Sequence, residues 1–239
     1  MLNKIILSIA IITGASSGIG KEMAKLLSQN GYEIVIIARS GDKLKKIADK
    51  INSGSGSCIP YVVDLANPEE IMQLQKKITK LGPISILVNN AGMGIFSPIE
   101  SIDIKEWDQQ ININLRAAFL LSQAIVPGMK KVKQGVLVYM NSIAGRQPFI
   151  NSSAYVASKF ALRGFANSLR EELREHNIKV ISVYPGAIDT PFWDKMDNSF
   201  NRKEMLNSID CAKMIIDNIQ APGNITIEEM VIRRIAGDF

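Results

Sequence analysis

The sequence is poor in the residues that most often bind metals or form nucleophile triads. Its 239 residues include one histidine, His176, and two cysteines, Cys58 and Cys211. The cysteines belong to no CxxC or cysteine–histidine cluster with metal-site spacing. A Ser-His-Asp triad would need His176, which comes just before a predicted strand. Ligands of parallel α/β sheets bind at the carboxyl ends of the strands, so His176 would lie at the opposite end. We therefore expect no metal centre, no histidine-dependent hydrolase and, as the default compartment, a reducing cytoplasm.

Long apolar runs are also absent. The stretch Ile5–Ile12 is about half as long as a membrane span. It could match the apolar part of a signal peptide, but it runs directly into a glycine-rich motif that cleavage would remove. The net charge is +5, yet the basic residues are scattered and interleaved with acids. This pattern favours a solvated surface, so we expect neither a membrane nor a nucleic-acid partner.

The remaining composition, 46% hydrophobic and 21% charged, indicates one sizeable buried core. Short apolar, β-branched runs alternate with longer helical stretches. The predicted strands are Ile5–Ile12, Glu33–Ala38, Ile59–Val63, Ile84–Asn89, Gly135–Asn141, Lys179–Tyr184 and Ile225–Ile232. The predicted helices are Gly18–Gln29, Asp42–Ile51, Pro68–Leu81, Ile104–Met129, Ser153–His176 and Ser208–Ile219. Strands that are continuously apolar are typical of a parallel sheet between helices, so we expect a doubly wound α/β/α Rossmann fold in one domain, residues 1–239.

One segment has no clear period. Pro191–Leu206 mixes polar residues with Phe192, Trp193, Met196, Phe200 and Met205. It is too apolar to be an idle surface loop. We expect a loop with short helical turns that forms a lid or wall of the substrate site.

A glycine-rich loop joins the first strand to the first helix. Its pattern is Gly14-x-x-x-Gly18-x-Gly20, not the more common Gly-x-Gly-x-x-Gly. Glycines allow a tight turn, and the free N–H groups of the following helix can bind a pyrophosphate. By itself the loop also fits an ordinary β-to-α turn. As a phosphate loop, its binding residues are Gly14, Ser16, Ser17, Gly18, Ile19 and Gly20.

The end of the second strand indicates which nicotinamide cofactor is preferred. An Asp or Glu there would hold the ribose hydroxyls of NAD, but the strand ends in Ala38 and is followed by Arg39. A guanidinium can make forked hydrogen bonds to a 2′-phosphate. We therefore predict NADP (NADPH), with a solvated surface arginine as the plainer alternative.

Tyr155 and Lys159 lie four residues apart on a predicted helix, so they share one face. A nearby cation favours the phenolate, and we expect Lys159 to lower the pKa of Tyr155 toward the working range. Such a pair is common on helix surfaces. Here, however, it follows Ser142, which comes just after a buried strand and hence lies at the expected ligand edge.

Taken together, these motifs resemble the short-chain dehydrogenase/reductase superfamily over nearly the whole chain. The matching segments are Thr13–Gly20, Asp64-Leu65, Asn89-Asn90-Ala91-Gly92, Asn112–Leu115, Ser142, Tyr155 with Lys159, and Pro185-Gly186. The resemblance implies interconversion of an alcohol and a ketone or aldehyde by hydride transfer. It also implies the cofactor positions Asp64, Asn90, Ala91, Gly92, Tyr155, Lys159, Pro185, Gly186, Ile188 and Thr190.

The resemblance further implies individual roles. Asp64 would accept from the adenine amino group, and the backbone of Ile188 and the hydroxyl of Thr190 would meet the carboxamide. Asn114 would be the helix-kink asparagine of a proton relay. In the catalytic set of Asn114, Ser142, Tyr155 and Lys159, Ser142 would polarise the carbonyl, Tyr155 would transfer the proton, and Lys159 would also bind the ribose.

Some features depart from the family pattern or leave alternatives open. NADP-preferring members often carry a basic residue before the second glycine, where this chain has Ser17, so the NADP prediction depends on Arg39. The chain lacks the Gly-Gly tail common in 3-oxoacyl-carrier reductases, and its ending resembles members acting on small hydroxy acids and ketones. A carrier reductase and an NAD(P)-binding sensor with little turnover are the alternatives. Family members usually assemble as homodimers or homotetramers through helices that correspond to Ile104–Met129 and Ser153–His176.

Overall fold

Strands and helices alternate along most of the chain. The computed structural model describes residues 8–195, 201–222 and 225–237. Its strands are β1 (Ile9–Thr13), β2 (Glu33–Ala38), β3 (Ser57–Val62), β4 (Ile84–Asn89), β5 (Gly135–Met140), β6 (Ile178–Pro185), β7 (Ile188–Asp189), β8 (Leu206–Asn207) and β9 (Glu229–Ile232). Its α-helices are α1 (Gly18–Gln29), α2 (Gly41–Asn52), α3 (Pro68–Ile78), α4 (Ile104–Ile111), α5 (Ala117–Val132), α6 (Ser153–Leu173) and α7 (Ser208–Ile219).

Seven of these strands form one parallel sheet in the order β3-β2-β1-β4-β5-β6-β9. The chain builds outward from β1 to β3 and then returns to place β4 on the other side of β1. Ile12 of β1 therefore pairs with Ile36 of β2 and with Val88 of β4. Such a reversal opens a crevice at the carboxyl ends of the two central strands, where ligands bind in this architecture.

Alternate strand residues point to opposite faces and create two core layers. Ile12 and Ile36 pack in the layer that α1, α2 and α7 cover. Ile11 and Ile37 pack in the layer that α3, α5 and α6 cover. The central strands of the sheet are buried on both faces, which explains why they are continuously apolar. The predicted doubly wound α/β/α fold is thus confirmed for the described residues.

Several element boundaries differ from the predictions. The first strand starts at Ile9 rather than Ile5, although residues 5–7 lie outside the described part of the chain. The last strand covers only Glu229–Ile232. The largest error is the single helix predicted over Ile104–Met129. A π-helical segment, Asn112–Arg116, separates α4 from α5 there, and periodicity alone does not reveal an inserted residue.

The expected substrate loop consists of short turns where it is described. A 3₁₀ turn covers Pro191–Lys195 and another covers Arg202–Glu204. Ile188 pairs with Leu206 and Asp189 with Asn207, so β7 and β8 close the base of the loop. Met196 and Phe200, which were predicted to belong to the same wall, lie outside the described residues.

Both cysteines are free and buried, and burial raises the pKa of each thiol to about 12. Across residues 8–195, 201–222 and 225–237, no group of three or more His, Cys, Asp or Glu side chains is placed to hold a metal ion. No helix in these ranges is both long enough and apolar enough to cross a bilayer.

Candidate active site

The glycine loop requires glycine because other segments of the chain approach it closely. Gly14 has φ +64° and Gly18 has φ +54°, both in the left-handed region. A Cβ on Gly14 would lie 2.8 Å from Ala91 Cα. A Cβ on Gly18 would lie 2.9 Å from Thr190 Cγ2. The loop is therefore enclosed by the turn after β4 and by the segment after β7.

Thr13 and Asn90 connect the ends of the two central strands. The Thr13 hydroxyl accepts hydrogen bonds from the backbone N–H groups of Asn90 and Ala91, each at 2.9 Å. The amide nitrogen of Asn90 donates to Thr13 O at 2.9 Å and to Gly14 O at 3.3 Å. A side chain on Gly20 would collide with this amide nitrogen. These contacts hold the loop in one shape, which a plain β-to-α turn does not need.

The amino terminus of α1 has the properties of a phosphate site. Its N-cap residue, Ser17, is extended and makes no side-chain capping bond, and the first turn contains no acidic residue. The first N–H groups of a helix lack intrahelical acceptors and carry partial positive charge. Ser16 precedes this turn and Ile19 lies within it. A pyrophosphate therefore fits the loop geometrically and electrostatically.

The expected adenine end lies along the same edge of the sheet. Arg39 follows β2 directly and is exposed, and Asp64 follows β3 closely. Asp64 Oδ1 accepts a hydrogen bond from Ala66 N at 2.9 Å, and Asp64 N donates to Glu70 Oε2 at 2.8 Å. These bonds fix the backbone of the turn and orient the Asp64 carboxylate.

The segment after β6 arches back over the glycine loop. Pro185 ends β6, and Gly186 N donates to Ile232 O at 2.9 Å. Ile188 lies in β7, and Thr190 contacts the Gly18 position as described above. The structure thus brings the predicted carboxamide-binding segment next to the predicted phosphate loop.

Ser142, Tyr155 and Lys159 meet at the carboxyl end of β5. Ser142 Oγ accepts from Ala144 N at 3.1 Å, which orients the serine at the start of a short turn. Tyr155 and Lys159 are buried in the first part of α6. Lys159 Nζ donates to Met140 O at 2.9 Å and lies 5.7 Å from the centre of the Tyr155 ring. A Cβ on Gly92 would lie 3.4 Å from Lys159 Nζ, so the glycine turn also borders this cluster.

The expectation that Lys159 lowers the pKa of Tyr155 is wrong for the polypeptide alone. Burial raises the pKa of Tyr155 to about 12, and hydrogen bonding with Ser142 only partly opposes this rise. Burial also lowers the pKa of Lys159, to about 8. In both cases the largest cause is desolvation, which disfavours the charged form of a buried group. Tyr155 is therefore a phenol at neutral pH and suited to donate a proton.

Asn114 occupies the centre of the π-helical segment and does not simply mark a kink. Its Oδ1 accepts from Met93 N, and its Nδ2 donates to Met93 O and to Ser158 Oγ, each at 2.9 Å. Ser158 Oγ in turn donates to Tyr155 O at 2.7 Å. These bonds connect the loop after β4, the π segment and the backbone of Tyr155 in the first turn of α6.

Sequence reasoning missed Ser158 and the specific bonds of Thr13. Ser158 lies next to Lys159 within the YxxxK motif, so the motif itself placed it near the site. Only the fold shows that it faces Asn114, because the two residues are 44 positions apart. Gln110 was also missed. Its side chain is buried in α4, and its Oε1 accepts from Ile95 N at 3.0 Å.

Aromatic rings surround Tyr155. The ring of Phe96 meets it edge-on at 5.4 Å between centroids, and Phe192 lies 5.9 Å away with its ring tilted. Phe96 and Phe192 also contact each other at 6.4 Å, and Trp193 lies 5.8 Å beyond Phe192. The loop after β4 and the loop after β7 therefore both contribute rings to the surroundings of the phenol.

Known proteins match this chain over nearly its whole length. The family model described as short chain dehydrogenase matches residues 8–200. An uncharacterized oxidoreductase of Staphylococcus epidermidis is 31% identical over 227 residues, which cover 95% of this chain and 97% of the relative.

Solved structures agree with this match. A metagenomic short-chain oxidoreductase in complex with NADP is 31% identical, covers 95% of this chain and 96% of its own, and superposes with a TM-score of 0.82. An acetoin dehydrogenase from Salmonella typhimurium is 30% identical, covers 95% and 94% respectively, and superposes with a TM-score of 0.85. The chain therefore belongs to the short-chain dehydrogenase/reductase family.

Proposed function

We propose that this chain is an NADP-dependent oxidoreductase that interconverts an alcohol and a ketone or aldehyde. The observation that carries the proposal is the grouping of Tyr155, Lys159 and Ser142 beside a glycine loop that is open to a pyrophosphate. A phenol that can give up a proton, next to a nicotinamide site, is the arrangement that carbonyl reduction requires.

The cofactor would lie along the carboxyl edge of the sheet. The α1 N-terminus and the loop from Gly14 to Gly20 would hold the pyrophosphate. Asp64 and the turn Asn90-Ala91-Gly92 would border the adenine half, while Pro185, Gly186, Ile188 and Thr190 would border the nicotinamide half. When bound, the nicotinamide supplies or accepts the hydride.

Each catalytic side chain has a separate task in the proposed reduction. Tyr155 donates its phenolic proton to the oxygen of the carbonyl while Ser142 donates a hydrogen bond to the same atom. Lys159 holds positive charge near the phenolate that forms, and it would also bind the ribose. Asn114 keeps the loop after β4 and the catalytic turn in register. The raised pKa of Tyr155, about 12, keeps the phenol protonated at neutral pH, as a general acid in the reductive direction requires.

Two observations support NADP over NAD. Arg39 occupies the position after β2 where an acidic residue would repel a 2′-phosphate. The metagenomic relative was solved with NADP, and an alcohol dehydrogenase of Thermococcus sibiricus, 26% identical with a TM-score of 0.87, was solved with 5-hydroxy-NADP.

A homodimer or homotetramer in the cytoplasm completes the proposal. Phe119 of α5 and Phe160 of α6 are each about two-fifths exposed, and a groove between these helices is lined partly by Val126 and Leu169. Apolar side chains of this size on neighbouring helices favour a contact with a second copy. The two free cysteines are consistent with a reducing compartment.

A panel of ketones, aldehydes and alcohols, followed by NADPH and NADH absorbance in parallel, tests the proposal. We expect turnover of at least one carbonyl compound, faster with NADPH. NADPH binding without turnover of any compound would instead favour the sensor alternative. Turnover restricted to carrier-bound or thioester 3-oxoacyl substrates would favour the carrier reductase.

A further inference from the structure

We infer that Phe96 and Phe192 are the side walls of the substrate site and that they select an uncharged carbonyl compound bearing an aryl or other bulky apolar group. This inference rests on the proposed function and specifies its substrate class. It selects neutral ketones and aldehydes and excludes 2-oxo acids.

The first argument is the position of the two rings. Both contact the ring of Tyr155, the proposed proton donor, at centroid distances of 5.4 and 5.9 Å. A carbonyl compound bound at the phenol would therefore lie close to Phe96 and Phe192. Aromatic faces and edges bind flat apolar groups well and contribute beyond the buried area alone.

The second argument is that the backbone fixes both walls. Ile95 N donates to the buried Gln110 side chain at 3.0 Å, and Ser97 N donates to Asn151 O at 2.8 Å, so Phe96 is held on either side. Next to Phe192, Trp193 Nε1 donates to Ile188 O at 2.9 Å. Walls that are held in place before binding lose little conformational entropy when a ligand arrives.

Gly94 makes the close approach of the rings possible. A Cβ at this position would lie 2.7 Å from Phe96 Cζ and 3.0 Å from Phe192 Cζ. The two aromatic walls therefore meet over a position without a side chain. This contact links the loop after β4 to the loop after β7.

The third argument concerns charge. Arg202, from the same loop as Phe192, donates to Asp189 Oδ1 at 2.8 Å and also pairs with Asp194, so its charge is neutralised. Arg146, which follows the Ser142 turn, pairs with Glu229 at 2.6 Å. Lys159 is held by Met140 O. A substrate carboxylate next to the rings would lose water, and both of these arginines already have carboxylate partners, so its burial would be costly.

A neutral ester and the corresponding carboxylate test the inference without turnover. Ethyl benzoylformate and benzoylformate carry the same aryl ketone, one as a neutral ester and the other as a carboxylate. Binding of each to the NADP⁺-saturated protein is measured by calorimetry, where no hydride is available for reduction. We expect a Kd at least ~10-fold lower for the ester. Equal or tighter binding of benzoylformate would overturn the inference.

Truncation of each wall tests the role of the rings. We expect Phe192→Ala and Phe96→Ala to raise the Kd of ethyl benzoylformate ~10-fold or more, and that of ethyl pyruvate, which lacks the ring, less than ~3-fold. Met72→Ala is the control, since it truncates a half-exposed apolar side chain on α3. Should an alanine variant lose its cooperative unfolding, Phe192→Leu and Phe96→Leu replace it, with an expected rise of ~3-fold. Wild-type affinity in the folded ring variants would refute the role of the walls.

The same ligands separate this inference from the proposed function. If ethyl benzoylformate binds preferentially but NADPH is not oxidised, the substrate-class inference stands and the proposed activity fails. If NADPH is oxidised by 2-oxo acids and not by their esters, the activity stands and the inference fails.

Discussion

The amide nitrogen of Asn114 donates a hydrogen bond to the hydroxyl oxygen of Ser158 over 2.9 Å, and both side chains are buried. Because Asn114 also bonds the backbone of Met93, this single contact joins the loop after β4 to the helix that carries Tyr155 and Lys159. Ser158 continues the connection to Tyr155 O. The position of the first turn of α6 thus depends on Ser158, which the sequence motifs did not single out.

Replacing Ser158 tests this connection. Ser158→Ala leaves the buried Asn114 amide without one acceptor, and we expect the free energy of unfolding to fall by about 1–3 kcal/mol. Ser168→Ala, on an exposed position of the same helix, is the control and should change it by less than about 0.5 kcal/mol. Urea denaturation measures both. An equally small effect of the two substitutions would contradict the structural role of Ser158.

Removing the Tyr155 hydroxyl tests the proton donor. In Tyr155→Phe the ring and its aromatic neighbours remain, so we expect kcat to fall by about 10²- to 10⁴-fold and the Kd of NADPH to change by no more than ~3-fold. Steady-state kinetics and fluorescence titration give the two numbers. Tyr32→Phe, which precedes β2 at the opposite edge of the sheet, should behave like the wild type. Substantial turnover in Tyr155→Phe would exclude the proposed mechanism.

Arg39 is expected to determine cofactor preference. Charge-assisted hydrogen bonds contribute about 1.5–3 kcal/mol. Arg39→Ala should therefore raise the Kd of NADPH by ~10- to 100-fold and leave the Kd of NADH nearly unchanged. The comparison uses Kd values for both cofactors. Lys50→Ala removes a positive charge from the far end of α2 and should leave the ratio of the NADPH and NADH Kd values unchanged. An unchanged ratio in Arg39→Ala would show that another group reads the 2′-phosphate.

The packing around Gly20 predicts a strong effect of a single methyl group. In Gly20→Ala the new Cβ collides with the Asn90 amide that bonds Thr13 O. We expect a loss of about 1–3 kcal/mol in stability and an NADPH Kd raised at least ~10-fold. Gly164→Ala is the matched control, because no described atom outside its own helix lies within 4 Å of its added Cβ. The Gly164→Ala protein should be about 0.5–1 kcal/mol more stable than the wild type. If Gly20→Ala were instead the more stable of the two variants, the loop geometry would be contradicted.

The buried Lys159 predicts a pH-dependent difference in stability. Burial lowers its pKa to about 8, so folding disfavours the ammonium. The resulting penalty is complete below pH 8 and vanishes above the ordinary lysine pKa, about 10.4. Lys159→Met removes this penalty, although Met140 O then loses its donor.

We therefore expect the cofactor-free Lys159→Met protein to be about 1–3 kcal/mol more stable than the wild type at pH 7, and inactive. The difference in the free energy of unfolding between the two proteins should narrow as the pH rises from 8 to 10. The wild type becomes more stable over this range because its unfolded state binds more protons than its folded state. Urea denaturation at pH 7 and pH 10 measures it. Lys50→Met, exposed on α2, provides the baseline, and a gap that is constant or widens with pH would disprove the assignment.

Much of the fold could be predicted from local pattern. The bounds of α1, β2, β4 and α7 agree with the predictions because each is marked by a strong local signal, such as the Asn30-Gly31 stop after α1. Where a tertiary contact competes with periodicity, prediction was wrong. The π-helical turn at Asn112–Arg116 is the example, since it lets the Asn114 side chain reach Met93 and Ser158.

The sequence by itself determined the architecture and the site's position on the sheet. Continuously apolar strands require a sheet that is buried on both faces, and the glycine loop and the YxxxK pair name the chemistry through their residue types and spacing. Only the tertiary structure shows that burial raises the pKa of Tyr155, because burial depends on the segments that pack around the phenol. It also decided which rings contact Tyr155. Desolvation and ring contacts arise between segments far apart in the chain, so no local pattern specifies them.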